Sequence, residues 1–481
     1  MSKIGNETIN DFEYSRATRI SYGIGGFLDN FFIGAFTVRV TDFYENVILE
    51  QIAIGEAIAL GTLLIGAAFI IYGIWNMFND PLVGYFSDKR YKFISKWGRR
   101  YPWYLVGALS YAWAYLLIFI VPFNNVIGMF IWLLITLNIF EFTFTLWQAN
   151  YLALFPDKFR SQKERTNVGL WTTIWGVIGI ALGVLLPPLI IGDYANVGNY
   201  LIAAVVVSVI GFVMALFSLY GVKEDEDLIE RELKLLEEQE AKEELSFFQV
   251  LKLGVKDKNF MAYVMTYFGH QVLTVFMLGS LAYWIKFVIG SSDTDMETVI
   301  SAGFLVAVLV SAPLWAKIGD KVGNRKAFIY GTVATSILLI PMIFISDLIF
   351  TTISIALVGV GIGAIWVLMY PCFSDVIDNI VVETGVKREG ALTGVRTFFG
   401  RAPIILWGIA VPLIHLLTGY VPTTSAGKDV QTPLAIFGIR LHMAIIPLIF
   451  YFIGFLLMYF VYDLDQRSCN ENKELLMRKV M

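Results

Sequence analysis

The residues able to do chemistry in this chain sit inside apolar runs. Asp29, Asp80, Glu141 and Arg401 each interrupt a long hydrophobic stretch. A charge at bilayer depth costs roughly 2.5–3.5 kcal/mol on insertion scales, so each needs a partner, a water-filled cavity or a task. Asn138, Glu141, Thr145 and Gln148 fall within about 80° of one another at about 100° per residue, one polar stripe on a helix. Such a stripe faces protein or a watery cavity rather than lipid. Arg401 lies about ten residues into its run, or about 15 Å at about 1.5 Å per residue. Snorkelling does not rescue that depth, so its partner is expected among Asp29, Glu141 and Asp80. An acid paired with Arg401 would make protonation a switch, because neutralising the acid releases the guanidinium.

Other chemistry is missing from the sequence. There is no phosphate-cradling G-x-x-x-x-G-K-[ST] run, and His270, His415 and His442 have no metal-ligand spacing. Gly359-x-Gly361-x-Gly363 lies inside an apolar run and reads as close helix packing. Trp171/Trp175 and Trp366/Tyr370 are i, i+4 pairs, able to stack on a sugar ring or simply to pack. Cys372 and Cys469 imply no disulfide framework. No catalytic residue, metal site or cofactor is expected, and the chain does not read as an enzyme.

The elements that must position these residues are membrane spans. The chain has 481 residues, 57% hydrophobic and 16% charged, with a mean hydropathy of +0.67. Soluble domains are about 45–50% apolar and about 25% charged. The net charge of −4 offers no basic surface for nucleic acid. Apolar runs predict twelve spans, at about 20–41, 57–84, 103–122, 127–153, 167–192, 200–221, 259–289, 298–316, 327–345, 349–373, 392–418 and 434–462. Thirty lysines and arginines fall in the termini and even-numbered loops, against Lys428 in the others. That asymmetry predicts cytosolic termini and, by localisation, a plasma-membrane protein. The charged stretch 222–258 reads as a solvated linker helix dividing an N-terminal six-helix bundle, 1–221, from a C-terminal one, 259–462, with a cytosolic tail at 463–481. The loop after the second span, Asp88-Lys89-Arg90 then Gly98-Arg99-Arg100, is echoed after the eighth by Asp320-Lys321 then Gly323-Asn324-Arg325-Lys326. Two parallel six-helix repeats with a site between them form a transporter architecture.

These loops resemble the major facilitator superfamily. The combination of Asn76-Met-Phe-Asn79-Asp80-Pro81 and Trp97-Gly98-Arg99-Arg100-Tyr101-Pro102-Trp103 with Asp375-Val-Ile-Asp378, Thr384-Gly385-Val386-Lys387-Arg388-Glu389-Gly390 and Gly438-Ile439-Arg440-Leu441 is similar to the glycoside–pentoside–hexuronide:cation symporter family. That resemblance implies an all-α membrane protein of twelve helices in two six-helix bundles, working by alternating access. It implies a monovalent cation, sodium or proton, moving with a small polar solute, a glycoside first. Its paired carboxylates on the second helix, the cation-coupling site, fall on Asn76 and Asp80 here. Its sugar-contacting aspartates fall on Asn30, with Asp29 adjacent, and on Gln148. Asp29, Asn30, Glu141, Gln148, Trp171 and Arg401 are therefore the candidate solute residues, and Asn76, Asp80 and Asp29 the coupling residues. Asp88, Arg100, Asp320 and Arg325 are expected as latches at the cytosolic face. The partners expected are the solute, the cation and the lipid bilayer, with the protein a monomer. Proton-coupled or uncoupled transport, a lysolipid cargo, and a non-transporting sensor signalling through the linker or tail stand as alternatives.

Overall fold

The computed structural model describes residues 14–89, 91–159, 162–239, 255–384 and 389–480. These are helical almost throughout. The first half holds α1 (Arg16–Asp42), α2 (Glu56–Asp88), α3 (Tyr101–Ile118), α4 (Val126–Lys158), α5 (Gln162–Ile191) and α6 (Val197–Val222). The second holds α8 (Lys258–Tyr283), α9 (Asp295–Val322), α10 (Asn324–Leu339), α11 (Leu348–Thr384), the broken pair α12 (Glu389–Arg401) and α13 (Pro403–Thr418), and the pair α14 (Pro433–Arg440) and α15 (Ile446–Phe460). Between the halves lies α7 (Glu226–Gln239), and α16 (Gln466–Val480) closes the chain. Ten of the described helices are long and apolar enough to cross a membrane. The two remaining long ones are α1, with three arginines and four glycines, and α3, with four tyrosines and two tryptophans, residues that lower their hydropathy without shortening them. Twelve crossings result, and several helices overrun the predicted spans at the face that carries the termini.

Each half has its own hydrophobic core. One gathers Tyr22, Phe31, Tyr111, Phe140 and Trp147; the other gathers Tyr263, Trp284, Phe328, Ile362 and Tyr451. Lipid is as apolar as leucine, so membrane helices hold together by close packing rather than by the hydrophobic effect. The seam between α1 and α5 shows this. A Cβ at Gly183 would lie 2.2 Å from the Phe31 carbonyl oxygen, and one at Gly179 would lie 2.5 Å from that of Phe27. The two backbones touch.

The internal repeat in the sequence has a structural counterpart. Gly98 precedes α3 at φ +87°, and Gly323 precedes α10 at φ +88°, a left-handed turn that glycine adopts without strain. In the first half this turn cradles a carboxylate. The backbone N–H groups of Arg99, Arg100 and Tyr101 donate to Glu224 at 3.0, 2.6 and 2.9 Å. Burial pushes the Glu224 carboxyl above its ordinary range, with the three N–H groups opposing. Arg99 also pairs with Glu232 of α7 at 3.0 Å, and the Tyr14 hydroxyl donates to Asp225. The first part of the linker is thus bound to the first half.

Candidate functional site

The polar stripe of α4 faces α1 and α2. Tyr72 donates to Glu141 at 2.8 Å, Thr145 donates to Asp80 at 2.8 Å, and Gln148 donates to Asp29 at 2.5 Å. Asn79 donates to the Glu141 carbonyl oxygen at 3.2 Å. Asn138, the fourth member, bonds only its own helix at Leu134. Of the neighbours Asp29 and Asn30, Asp29 crosses to α4, whereas Asn30 donates back to Gly26.

Beside this network several buried oxygens have no partner of normal geometry among the described residues. Asn76 Oδ1, Asn79 Oδ1 and Glu141 Oε1 are all of this kind. Their side chains are nearly sealed, at 1%, 0% and 2% exposure. A buried acceptor left unsatisfied costs about 1–3 kcal/mol, so these three oxygens, with the equally unpartnered Asn76 Nδ2 beside them, are where a further polar partner would bind.

Arg401 ends α12, where the helix breaks before Pro403. Its guanidinium lies 3.9 Å from Asp80 and 5.4 Å from the centre of the Phe144 ring. It makes no hydrogen bond among the described residues, although a guanidinium carries five N–H donors. Arg401, Glu141, Tyr72, Gln271, Thr274 and Trp407 line a cavity of about 180 Å³ between the two halves. A second, apolar crevice lined by Val184, Met277, Phe304 and Trp366 shares Ile180, Thr274 and Leu278 with it.

Other predicted residues lie elsewhere. Trp171 does not line the cavity. Its backbone packs on Gly23 of α1 and Arg16 lies over its ring at 5.8 Å, because the helical wheel places it on the α1 seam. Arg396 sits over Tyr267, Tyr370 and Phe373. His270 bonds Tyr451 within the second half at 3.0 Å. Arg100 reaches Ser87 and Asn150, and Arg325 reaches the Tyr459 carbonyl, so each ties helices within one half. Asp320 is exposed, and the Asp88 side chain lies outside the described residues.

A further set of contacts joins the halves at the opposite face, and the sequence reading missed these. Arg39 pairs with Glu297, and Lys286 pairs with Asp42 at 2.7 Å. All four side chains are at most 1% exposed. Glu45 accepts from Tyr283 at 2.5 Å and lies 2.8 Å from His415 Nδ1. Tyr194 donates to Glu297 and Tyr200 to Asp42. Three π-helical turns frame this seal: Phe43–Ile48 carries Glu45, Trp284–Ile289 carries Lys286, and Leu441–Ile445 carries His442. A π turn inserts a residue and re-aims the side chains after it. The signal available in the sequence was a set of charges, Arg39, Asp42, Lys286 and Glu297, near span ends on the side with few lysines.

Comparison with known proteins agrees with this architecture. The crystal structure of the nucleoside transporter NupG aligns with a TM-score of 0.62 at 15% identity, covering 92% of this chain and 99% of that one, which shows the shared fold. The uncharacterized symporter YjmB of Bacillus subtilis is 24% identical over 94% of this chain and 93% of its own length. The sodium-dependent lysophosphatidylcholine symporter 1-A of Danio rerio is 24% identical over 88% of this chain and 83% of its own. The profile of the MFS/sugar transport proteins matches residues 21–466, nearly the whole chain, and the chain belongs to that family.

Proposed function

We propose that this chain is a secondary transporter in which a monovalent metal cation, sodium first, drives a small polar organic solute, a sugar or glycoside first, through the membrane by alternating access. The carrying observation is the group of unpartnered buried oxygens between α2 and α4. Amide oxygens such as those of Asn76 and Asn79 do not hold a proton near neutral pH, but they suit a hard cation, which takes oxygen ligands. Glu141 supplies, from α4, the second carboxylate that Asn76 does not provide on α2, with Asp80 and Thr145 beside it. The solute occupies the adjoining cavity against Arg401, Gln271 and Tyr72. The positive-inside charge asymmetry supports cytosolic termini and a plasma-membrane location, and the protein works as a monomer without enzymatic activity.

A second reading concerns the solute. The apolar crevice that opens off the cavity suits an alkyl chain, and a relative is named for carrying lysophosphatidylcholine. Purified protein in liposomes, given a glycoside, a hexuronide or lysophosphatidylcholine under a sodium gradient or a pH gradient, separates these readings. Sodium-stimulated sugar uptake is expected, and Glu141→Gln is expected to reduce the stimulation at least about tenfold. Uptake driven by pH alone would replace sodium with a proton. Uptake of the lysolipid alone would replace the sugar, and absence of all flux would overturn the transport reading.

A further inference from the structure

The seal at the face opposite the termini contains more carboxylate than fixed positive charge. Asp42, Glu45 and Glu297 face Arg39 and Lys286, and all five are buried. Burying an unbalanced charge is costly, and one proton would balance the cluster. Among the described residues, the other fully buried titratable nitrogens in this cluster are those of His415 and His442, at 1% and 0% exposure, while Arg440 and Lys428 turn to carbonyl groups at its edge.

Their geometry forms a chain from one half of the molecule into the other. Glu45 Oε1, from the turn after α1, lies 2.8 Å from His415 Nδ1 on α13. His415 Nε2 lies 3.4 Å from His442 Nε2. His442 Nδ1 lies 2.6 Å from Ser280 Oγ of α8. With both rings neutral, His415 donates to Glu45, His442 donates to His415, and Ser280 donates to His442. With one more proton, His415 donates at both nitrogens, to Glu45 and to His442, and His442 donates to Ser280. Both arrangements fill every ring nitrogen, and no heavy atom moves between them. A second added proton would set two N–H groups head to head across the 3.4 Å contact, so the capacity is one.

We propose that the closed far face is a binding site for a single proton, held on the His415–His442 pair against Glu45, and that the site exists only while the two halves meet there. The groups around the pair fit this role from every side. Tyr283 of α8 donates to Glu45. Tyr420 stacks on His415 with ring centres 4.1 Å apart and donates to Asn46 at 2.6 Å. Asn46 donates to Asp42, which is held by Lys286. Arg39 and Tyr194 occupy Glu297 of α9. Glu50, nearer the rim, is taken by Thr423 and Thr424. Of the three carboxylates sealed in the cluster, Glu45 is the one without a fixed cation among the described residues. When the halves separate, Glu45 and the imidazoles lose each other to water. Above about pH 6.5, where solvated imidazoles are mostly neutral, the closed state therefore binds up to one proton more than the open state, and acid favours closure. This site is separate from the α2–α4 oxygens, and in the orientation proposed above it draws its proton from outside.

The test measures distance across that face, without any solute. Ile54 and Phe344 lie there in opposite halves, 91% and 77% exposed. Spin labels at Ile54→Cys and Phe344→Cys, with Cys372 and Cys469 replaced by alanine, report short and long populations in lipid nanodiscs. Between about pH 8.5 and about pH 6.5 the short population is expected to grow, at most about tenfold in ratio per pH unit, the slope of one proton, and the growth is expected to stop below that, where both separated imidazoles charge in water and the open state binds more protons than the sealed pair can hold. Glu45→Gln, which balances the charge without a proton, and His415→Gln, which keeps one N–H donor toward Glu45, are each expected to remove the slope. Monodispersity on gel filtration identifies a variant that has not folded, and the other then decides. A flat wild-type response, or a slope that survives either folded variant, overturns the proposal. Solute uptake in liposomes is a separate readout, so the transport reading can fail or stand independently.

Discussion

Arg401 carries five N–H donors into a cavity where its nearest carboxylate is 3.9 Å away. An ion pair that long and partly exposed contributes little to stability, about 1 kcal/mol or less, so its value lies in what it offers a solute. Arg401→Ala is expected to leave the melting temperature within a few degrees of wild type while uptake falls at least about tenfold, as measured in parallel by thermal unfolding and liposome flux. A large loss of stability with normal uptake of the surviving protein would make Arg401 a structural residue instead. Its depth and its candidate partners were legible in the sequence, because hydropathy and the helical rise fix both. The pairing of Asp29 with Gln148 across two helices was only half legible. Neighbours on a helix point about 100° apart, and the choice between Asp29 and Asn30 depends on how α1 is rotated against α4. Asn79 and Thr145 were passed over, although one stands in the same motif as Asp80 and the other in the same stripe as Glu141. Trp171 failed for the converse reason, since an aromatic pair at i, i+4 looks the same whether it faces a cavity or a glycine seam.

At the scale of elements, the α1–α5 seam brings two backbones into contact. Gly183→Ala would press a methyl group against the Phe31 carbonyl, a backbone atom that cannot swing aside. Overpacking of this kind costs about 1–3 kcal/mol, so the variant is expected to melt lower by several degrees. Gly169→Ala, where a Cβ meets nothing within 4 Å, is the matched control in the same thermal assay. The sequence placed the twelve spans well because a bilayer imposes about 20 apolar residues on each. It set several ends too early at the terminus-bearing face, because helices such as α2, α9 and α11 continue past the apolar stretch on polar residues that hydropathy does not count. The three π turns were invisible, since one inserted residue barely disturbs a hydrophobic pattern read over a window of nearly twenty.

For the whole molecule, charge and repeat pointed to two halves and a linker, and Arg401 to one contact between the halves, whereas nothing in the pattern pointed to the pairs at the far face. Of the loop residues expected as inter-helix latches, Arg100 and Arg325 tie helices within one half. The joining pairs are Arg39–Glu297 and Lys286–Asp42, at the other face. Breaking a buried pair by removing one partner costs about 3–5 kcal/mol when the survivor is left uncompensated, and without Lys286 the Asp42 carboxylate would keep as its cation only Arg39, 3.9 Å away. Lys286→Met is therefore expected to disfavour the closed far face strongly, and Asp42→Asn added to it to restore part of the loss. The readout is the same distance measurement between labels at positions 54 and 344, where the single variant should shift to the long population and the double variant should return toward the short one. Equal distances in wild type and Lys286→Met would mean that the pair is not what holds the halves together.

The docking of the linker has a bearing on where the protein can be divided. Glu224 in its cradle of three N–H groups, Glu232 on Arg99, and Lys158 donating to the Lys223 carbonyl at 2.6 Å fasten residues 223–232 to the first half. The covalent leash between the halves therefore starts no earlier than Glu232, although the last crossing of the first half ends at Val222. A fragment cut at that crossing would lose the carboxylate that fills its own turn. A fragment carried through Gln239 would keep it, and that later cut is where two separately synthesised halves would each retain an intact surface.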